Sequence, residues 1–187
     1  MLLINKIKAV KRLFRQVDKH VASFKKKSNL ACLPICGECC TKRDIEATIL
    51  EFLPAAYHLF LTQRYQNILK QLEKKSDSIC VFYNPLATDG RCSNYENRGL
   101  ICRLFGFSTK TDKNSQKMLI TCKKVKILFE PIKLEKFIKK APELTICYIK
   151  LYGIHPQLAV KYLPINDAIR KALDTVLLHY QYRKKIA

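Results

Sequence analysis

The sequence lacks any long hydrophobic run. Its apolar stretches are a few residues long, whereas a membrane-spanning helix needs about 18 consecutive apolar residues. A signal peptide also needs an apolar core, and basic side chains interrupt the first residues of the chain, at Lys6, Lys8, Lys11 and Arg12. The sequence therefore predicts a cytoplasmic protein with no transmembrane segment, in a compartment where thiols stay reduced.

Glycine is scarce, with five residues in a chain of 187. Phosphate-binding loops depend on closely spaced glycines, and the sequence contains neither a P-loop nor a glycine-rich nucleotide loop. It also has no H-E-x-x-H motif. The four histidines stand at scattered positions: His20, His58, His155 and His179. A lone histidine is more often a core or surface residue than a catalytic base, so the sequence leaves open whether the chain is an enzyme.

Acidic residues are few, with 15 against 35 lysines and arginines, which gives a net charge of +20. Residues 1–28 carry nine basic residues against one acid, giving +8, and residues 29–122 carry twelve against nine, giving +3. Residues 123–187 carry fourteen against five, giving +9. Basic flanks favour an anionic partner, such as nucleic acid, an acidic protein or a membrane surface. The alternative is a solvated, lysine-rich surface without a partner.

Cysteine, in contrast, is abundant, with nine residues, four of them within Cys32–Cys40. Disulfides would need an oxidising compartment. Inert buried thiols explain an isolated cysteine such as Cys147, which we expect in the core, but not four cysteines within nine positions. Metal binding explains the cluster. The predicted metal ligands are Cys32, Cys36, Cys39, Cys40, Cys80, Cys92, Cys102 and Cys122.

The spacing within Cys32–Cys40 suits thiolate-bound zinc or iron, because a short loop lets two thiolates reach one ion. The neighbouring Cys39 and Cys40 tend to diverge, so they serve two metals more naturally, or one of them points elsewhere. Eight thiols suit two four-thiolate zinc sites or two cubane clusters. They also suit one four-thiolate metal, with the remainder as buried thiols.

The periodicity predicts a mainly α-helical protein with a small β-hairpin and irregular cysteine-rich loops. Residues 2–27 repeat apolar side chains at a and d heptad positions, which indicates one amphipathic helix. Its stripe can pack on its own domain, form a homodimer or lie on a membrane. We divide the chain into a basic N-terminal helix (1–28), a cysteine-cluster metal-binding region (29–125) and a C-terminal helical region on the same domain (126–187).

Local signals place the remaining elements. Thr41 or Asp44 is the expected cap of a helix that Pro54 breaks, and Asn166 is the expected cap of the last helix. The expected helices after the first are at about 45–53, 55–75, 132–140, 143–152, 156–162 and 166–183. The expected extended segments are 79–83 and the hairpin strands 105–108 and 118–122.

Two segments carry a family pattern. Cys32–Cys40 has the spacing C-x3-C-x2-C-C, and Asp89–Phe105 reads DGRCSNYENRGLICRLF. Cys80 precedes the second segment and stands twelve residues before Cys92. Together these segments resemble the YkgJ-type cysteine-cluster proteins, a zinc- or iron-chelating family named for its CxxCxxCC motif.

The resemblance covers about Cys32 to Cys122, half of the chain, and implies chelation rather than a particular reaction. Gly99 and Val81 stand where the family usually has proline, which loosens the backbone but removes no ligand. A related cysteine cluster occurs in a flagellin lysine N-methylase. The resemblance therefore keeps an iron–sulfur-dependent, protein-modifying enzyme as an alternative.

Three arginines lie among these cysteines, at Arg91, Arg98 and Arg103. Four thiolates on one zinc ion leave a charge of −2, which a nearby guanidinium can offset while it donates hydrogen bonds to sulfur. The competing interpretation is ordinary surface pairing of Arg98 or Arg103 with Glu96.

The leading hypothesis from the sequence is an intracellular metal-binding protein with a structural or accessory role. Zinc is the expected cofactor, and iron or an iron–sulfur cluster is the alternative, because thiolate ligands suit both metals. Two further functions stay open at this point. One is the lysine N-methylase-like enzyme, and the second is a basic nucleic-acid-binding module stabilised by metal.

Overall fold

The computed structural model describes residues 1–33, 35–74, 79–86, 91–122, 124–125 and 137–184. Helices dominate these residues and the strands are short, as the sequence predicts. The helices are α1 (Leu3–Ser28), α2 (Ile49–Leu61), α3 (Tyr65–Lys74), α4 (Leu100–Leu104), α5 (Leu144–Ile154), α6 (Pro156–Ala159) and α7 (Ile165–Lys184). The strands are β1 (Glu46–Thr48), β2 (Ser108–Thr111), β3 (Lys117–Ile120) and β4 (Tyr162–Pro164).

The N-terminal helix α1 packs on its own chain, against α2, α4 and α5. Its predicted apolar stripe is buried throughout, at Leu3, Ile7, Val10, Phe14, Val17, Val21 and Phe24, and Leu13 is buried as well. Packing on the same domain is therefore confirmed, and the face that would have formed a homodimer or met a membrane is covered. The helix ends where Asn29 adopts the left-handed conformation, at φ 55°.

Helix α2 begins later than predicted because a different pair of residues caps it. Thr48 and Glu51 form a capping box, in which the backbone N–H of Thr48 donates to Glu51 Oε1 at 2.7 Å. The predicted cap at Thr41 or Asp44 is wrong, since the chain passes through β1 before the helix starts.

The predicted break at Pro54 is also wrong, because Pro54 lies inside α2. Proline removes a backbone donor from the helix. However, Leu53 and Ala55 on either side of it are buried, and α2 packs closely on α7, which offsets this cost. The break comes later, where Gln63 adopts a positive φ of 56° between α2 and α3.

The predicted hairpin is present with shifted ends. Strands β2 and β3 pair antiparallel, with Ser108 opposite Ile120 and Thr111 opposite Lys117. Asp112 closes the turn, because its carboxylate accepts the backbone N–H groups of residues 114 and 116, each at 2.8 Å.

A second sheet was not predicted. Strand β1 pairs antiparallel with β4, and Glu46 lies opposite Pro164. The predicted helix over 156–162 is thus only partly right, because α6 ends at Ala159 and β4 follows. The segment expected to be extended over 79–83 instead contains a turn, in which the backbone N–H of Tyr83 donates to Cys80 O at 2.9 Å, and Tyr83 forms an isolated bridge with Cys92.

Helices α2 and α7 form the centre of the core. The largest fully buried side chains that these two helices contribute to the core are Leu50, Phe52, Leu53, Leu59, Ile169 and Leu173. Helix α5 matches its prediction, whereas most of the helix expected over 132–140 lies outside the described residues. No helix in the described ranges is long and apolar enough to cross a membrane.

Candidate metal centre

Cysteines from three separate segments meet at one cavity of about 520 Å³. The segments are the loop before β1, the stretch after α3 and the short helix α4. The cavity is lined by seven of the eight predicted ligands: Cys32, Cys36, Cys39, Cys40, Cys80, Cys92 and Cys102. Cys122 is not part of this lining, although it adds to the rise that burial causes in the pKa of Cys32.

The first cysteine loop is fastened to the segment that carries Cys92. The Arg91 side chain donates from Nε to the backbone oxygen of Ile35 at 3.1 Å. At Gly37 the loop passes so close that an added Cβ would lie 2.9 Å from both Arg91 Cβ and Tyr83 Cε2. A side chain at position 37 would therefore push the loop away from its neighbour.

The segments around Cys80 and Cys92 run beside each other. The backbone N–H of Asn84 donates to Arg91 O at 2.9 Å, and that of Ser93 donates to Phe82 O at 2.8 Å. These bonds and the bridge between Tyr83 and Cys92 hold the two cysteine-bearing arms together without a regular strand.

Asn166 positions the Cys80 arm rather than capping α7, so the predicted cap is wrong. Its Oδ1 accepts the backbone N–H of Val81 at 2.8 Å, and its Nδ2 donates to Ile79 O at 2.9 Å. One amide side chain therefore holds the residues on both sides of Cys80 against the core.

Glu51 positions α4, which carries Cys102. The side chain of Glu51 is fully buried, and its Oε2 accepts the backbone N–H of Ile101 at 2.9 Å. At Gly99 an added Cβ would lie 2.9 Å from Glu51 Oε2, so this close approach depends on glycine. Burial raises the pKa of Glu51, while its hydrogen bonds from Thr48 and Ile101 oppose that rise.

Sequence reasoning missed both Glu51 and Asn166. For Glu51 the signal was present, because T-x-x-E at 48–51 is a capping-box pattern. For Asn166 no local signal existed, since its partners lie 85 and 87 residues earlier in the chain.

The three arginines have different environments. Arg103 is 7% exposed, pairs with Asp18 of α1, and lies over the Phe14 ring at 4.6 Å. Arg91 donates from its Nε to the backbone oxygen of Ile35. Arg98 lines the cavity and is the one of the three whose charge acts on Cys39 and Cys92.

Arg98 stacks over the Tyr95 ring at 3.9 Å, and its buried Nε has no hydrogen-bond partner. Arg98 therefore retains hydrogen-bonding capacity at the cysteines, whereas Arg103 ties this segment to α1. Arg103 does contact Glu96, as one interpretation of the sequence predicted, but its guanidinium donates to the backbone oxygen of Glu96.

The adjacent thiols Cys39 and Cys40 are linked by a hydrogen bond. This bond lowers the pKa of Cys39, and the positive charge of Arg98 lowers it further. The same bond raises the pKa of Cys40, because Cys40 acts as the donor. The pair therefore favours one thiolate and one thiol.

Burial raises the pKa of three further thiols that face the cavity. Desolvation is the largest cause at Cys32, Cys92 and Cys102, and neighbouring cysteines add to it. For Cys102 those neighbours include Cys80 and Cys39. Thiols that raise one another's pKa values lie close together. A bound cation would stabilise them as thiolates.

The donor chemistry fits a thiolate-bound metal, but the donors are not already arranged around one. Within the described ranges, no three cysteine, histidine, aspartate or glutamate side chains are grouped so that they could hold an ion. Thiolates suit both zinc and iron. Binding would thus require side chains that share the cavity to converge.

Cys147 stands apart from this cluster. It is buried on α5, 7% exposed, as predicted for a core cysteine. Burial raises the pKa of its thiol, with only minor effects from Lys150 and Glu143.

A family model for the CxxCxxCC domain, described as a proposed zinc- or iron-chelating domain, matches residues 31–123. The chain belongs to the CxxCxxCC family through these residues. The matched span contains all eight predicted ligands and leaves out α1 and Cys147. No curated protein and no solved structure matches the chain. The match confirms the resemblance seen in the sequence and supports chelation, without selecting zinc or iron.

Proposed function

We propose that this CxxCxxCC protein binds zinc or iron through thiolates of its cysteine cavity and has a structural or accessory role. The observation that carries the proposal is the convergence of seven cysteines from three segments on one cavity of about 520 Å³. Inert thiols would not need to gather in this way. The expected first ligands are Cys36, Cys39, Cys92 and Cys102.

A bound metal would add a strong link between segments that hydrogen bonds and side-chain packing now join. The loop around Cys36 and the helix α4 are more than sixty residues apart along the chain. Because an unfolded chain does not hold these ligands together, metal binding would stabilise the folded state.

The test is metal analysis of purified chains that differ by one cysteine. Cys102→Ser removes a cavity thiol, and Cys147→Ser is the matched control because it removes a buried thiol outside the cavity. Zinc or iron should co-purify with the wild-type chain and Cys147→Ser, and fall sharply in Cys102→Ser. Equal metal content in both variants would contradict the proposal.

The sequence leaves open nucleic-acid binding and lysine N-methylase-like activity. The described residues of the cysteine cavity add no observation in favour of either. A nucleic-acid-binding module would show affinity for DNA or RNA that falls steeply as salt rises. A lysine N-methylase-like enzyme would be brown, contain iron and depend on adenosylmethionine. A colourless, iron-free protein that shows no salt-dependent nucleic-acid binding would remove both.

A further inference from the structure

Helix α1 carries a line of positive charge on the side that faces away from the core. Its apolar side is buried from Leu3 to Phe24. Five basic side chains on the opposite side are exposed: Lys8, Arg12, Arg15, Lys19 and Lys26. At 3.6 residues per turn they fall within about 60° of one another around the helix axis, and at 1.5 Å per residue they span about 27 Å along it. We call these five side chains the basic face of α1.

No acidic side chain in the described residues neutralises the basic face. Asp18 is the one acid among residues 1–28, and it pairs with Arg103 of α4. The other ion pairs that the described residues form involve Lys117 and Lys124, which lie outside α1. A solvated helix surface often carries charges of both signs, whereas this face carries one sign only.

The chelating domain does not account for the basic face. The family match begins at residue 31, and α1 has ended at Ser28. The described lining of the cysteine cavity includes Lys25 from α1, which lies over the Phe107 ring at 4.9 Å, but no member of the basic face. The face is therefore available to a partner that metal binding does not involve.

The chemistry of the basic face favours phosphate groups over a membrane or a protein. A helix that lies in a bilayer surface buries apolar side chains in the lipid, and protein interfaces have apolar or aromatic side chains at their centre. Between Leu3 and Ser28, no large apolar side chain is exposed in the structure as described. Contacts with nucleic-acid phosphates need positive charge and hydrogen-bond donors, which lysine and arginine supply.

The same face favours a duplex over a single strand. Proteins that hold single strands stack the bases on aromatic side chains. The two aromatic residues of α1, Phe14 and Phe24, are buried. Duplex DNA carries one negative charge per ~1.7 Å of its axis, so a face about 27 Å long meets several phosphates. Phosphate contacts carry no sequence information, so this binding should not depend on sequence.

We propose that the basic face of α1 binds the phosphate backbone of double-stranded nucleic acid without sequence preference. This binding does not require metal, because the face lies outside the cysteine cavity. Five neutralised phosphates give a slope of about −4.5 for the logarithm of the association constant against the logarithm of salt concentration. The affinity should therefore fall about 500-fold between ~50 and ~200 mM salt.

The test follows the fluorescence anisotropy of a labelled DNA duplex of about 20 base pairs, which is longer than the face at ~3.4 Å per base pair. The full chain is compared with K8Q/R12Q/R15Q/K19Q, which removes four charges from the basic face. The matched control K70Q/K74Q/K113Q/K171Q removes four exposed charges from α3, the hairpin turn and α7. The slope should fall to about −1 in the first variant and stay at about −4.5 in the control.

Circular dichroism and metal content are measured on the same samples, and both should match the wild-type chain. If the fourfold variant does not fold, R12Q/R15Q replaces it, with an expected slope of about −2.7.

Three results would overturn the proposal. The first is an equal loss of affinity in the face variant and the control, because net charge and not α1 would then be responsible. The second is a wild-type chain that does not bind the duplex at ~50 mM salt, including one that binds vesicles containing phosphatidylserine instead. The third is tighter binding to single-stranded poly(dT) than to the duplex.

Discussion

The helical scaffold and the cysteine loops of this chain are held in place by different means. Helices α2 and α7 meet through side chains such as Leu53 and Leu173, which are wholly buried. The Cys32–Cys40 loop instead exposes the side chains of Leu33 and Ile35, and a hydrogen bond from Arg91 joins it to the Cys92 segment. Apolar burial should therefore keep the scaffold folded without metal, whereas the Cys32–Cys40 loop should gain most in stability from metal binding.

The largest expected effect is the loss of unfolding free energy caused by a scaffold substitution. Metal binding should not restore this loss. Leu173→Ala removes a fully buried side chain from the contact of α7 with the core. It should lower the free energy of unfolding by about 2–5 kcal/mol. Urea unfolding, followed by circular dichroism with and without Zn²⁺, measures this loss. A loss that disappears when zinc is present would break the distinction between scaffold and loops.

The next effect is the loss of the stabilisation that metal provides. Cys102→Ser should remove most of the rise in unfolding free energy that zinc produces, which is about 2.7 kcal/mol when free zinc is ~100 times its Kd. Cys147→Ser should keep that rise, because Cys147 lies on α5 outside the cavity. Thermal unfolding of both variants with and without zinc is the measurement. If zinc raised the unfolding free energy of both variants equally, the metal would not be bound by Cys102.

A smaller effect is expected where the scaffold holds a cysteine segment. Glu51→Gln removes one of the carboxylate oxygens that accept backbone N–H groups at the starts of α2 and α4. Leaving a buried donor unpaired should cost about 1–3 kcal/mol and also weaken zinc binding through Cys102. Glu73→Gln on the exposed face of α3 is the control. Unchanged zinc affinity in Glu51→Gln would mean that Glu51 stabilises the helices without positioning the ligand.

The smallest effect is expected at the Cys80 arm. Asn166→Ala removes two hydrogen bonds to the backbone of Val81 and Ile79, and should cost about 1 kcal/mol. Zinc competition against a chromophoric chelator should show weaker binding than in the control Asn67→Ala, where the asparagine is exposed on α3. Equal affinities in the two variants would show that the Asn166 bonds do not orient Cys80.

The sequence predicts those features that are encoded by local spacing. The heptad positions from Leu3 to Phe24 correctly identify α1 and its buried face, because one helix periodicity determines both. The hairpin is predicted because polar turn residues separate two short apolar runs. The paired cysteine motifs identify the family and thus the segments that meet at the cavity.

The features that were missed depend on contacts between distant residues. Strands β1 and β4 have three residues each, and neither has a pattern of its own that would reveal its partner. Pro54 stays helical because of packing against α7, which local rules do not include. The position of Asn166 beside Cys80 depends on how the chain folds back, and no spacing in the sequence shows it.

The most direct test of the account is the metal content of the anaerobically purified full chain, together with its absorbance spectrum and the reactivity of its thiols. The account predicts zinc or iron bound in stoichiometric amount, with the cavity thiols protected and Cys147 unliganded. Zinc would give a colourless protein, and an iron–sulfur cluster would give a broad visible band. A folded, metal-free chain whose cavity thiols all react freely would contradict the account.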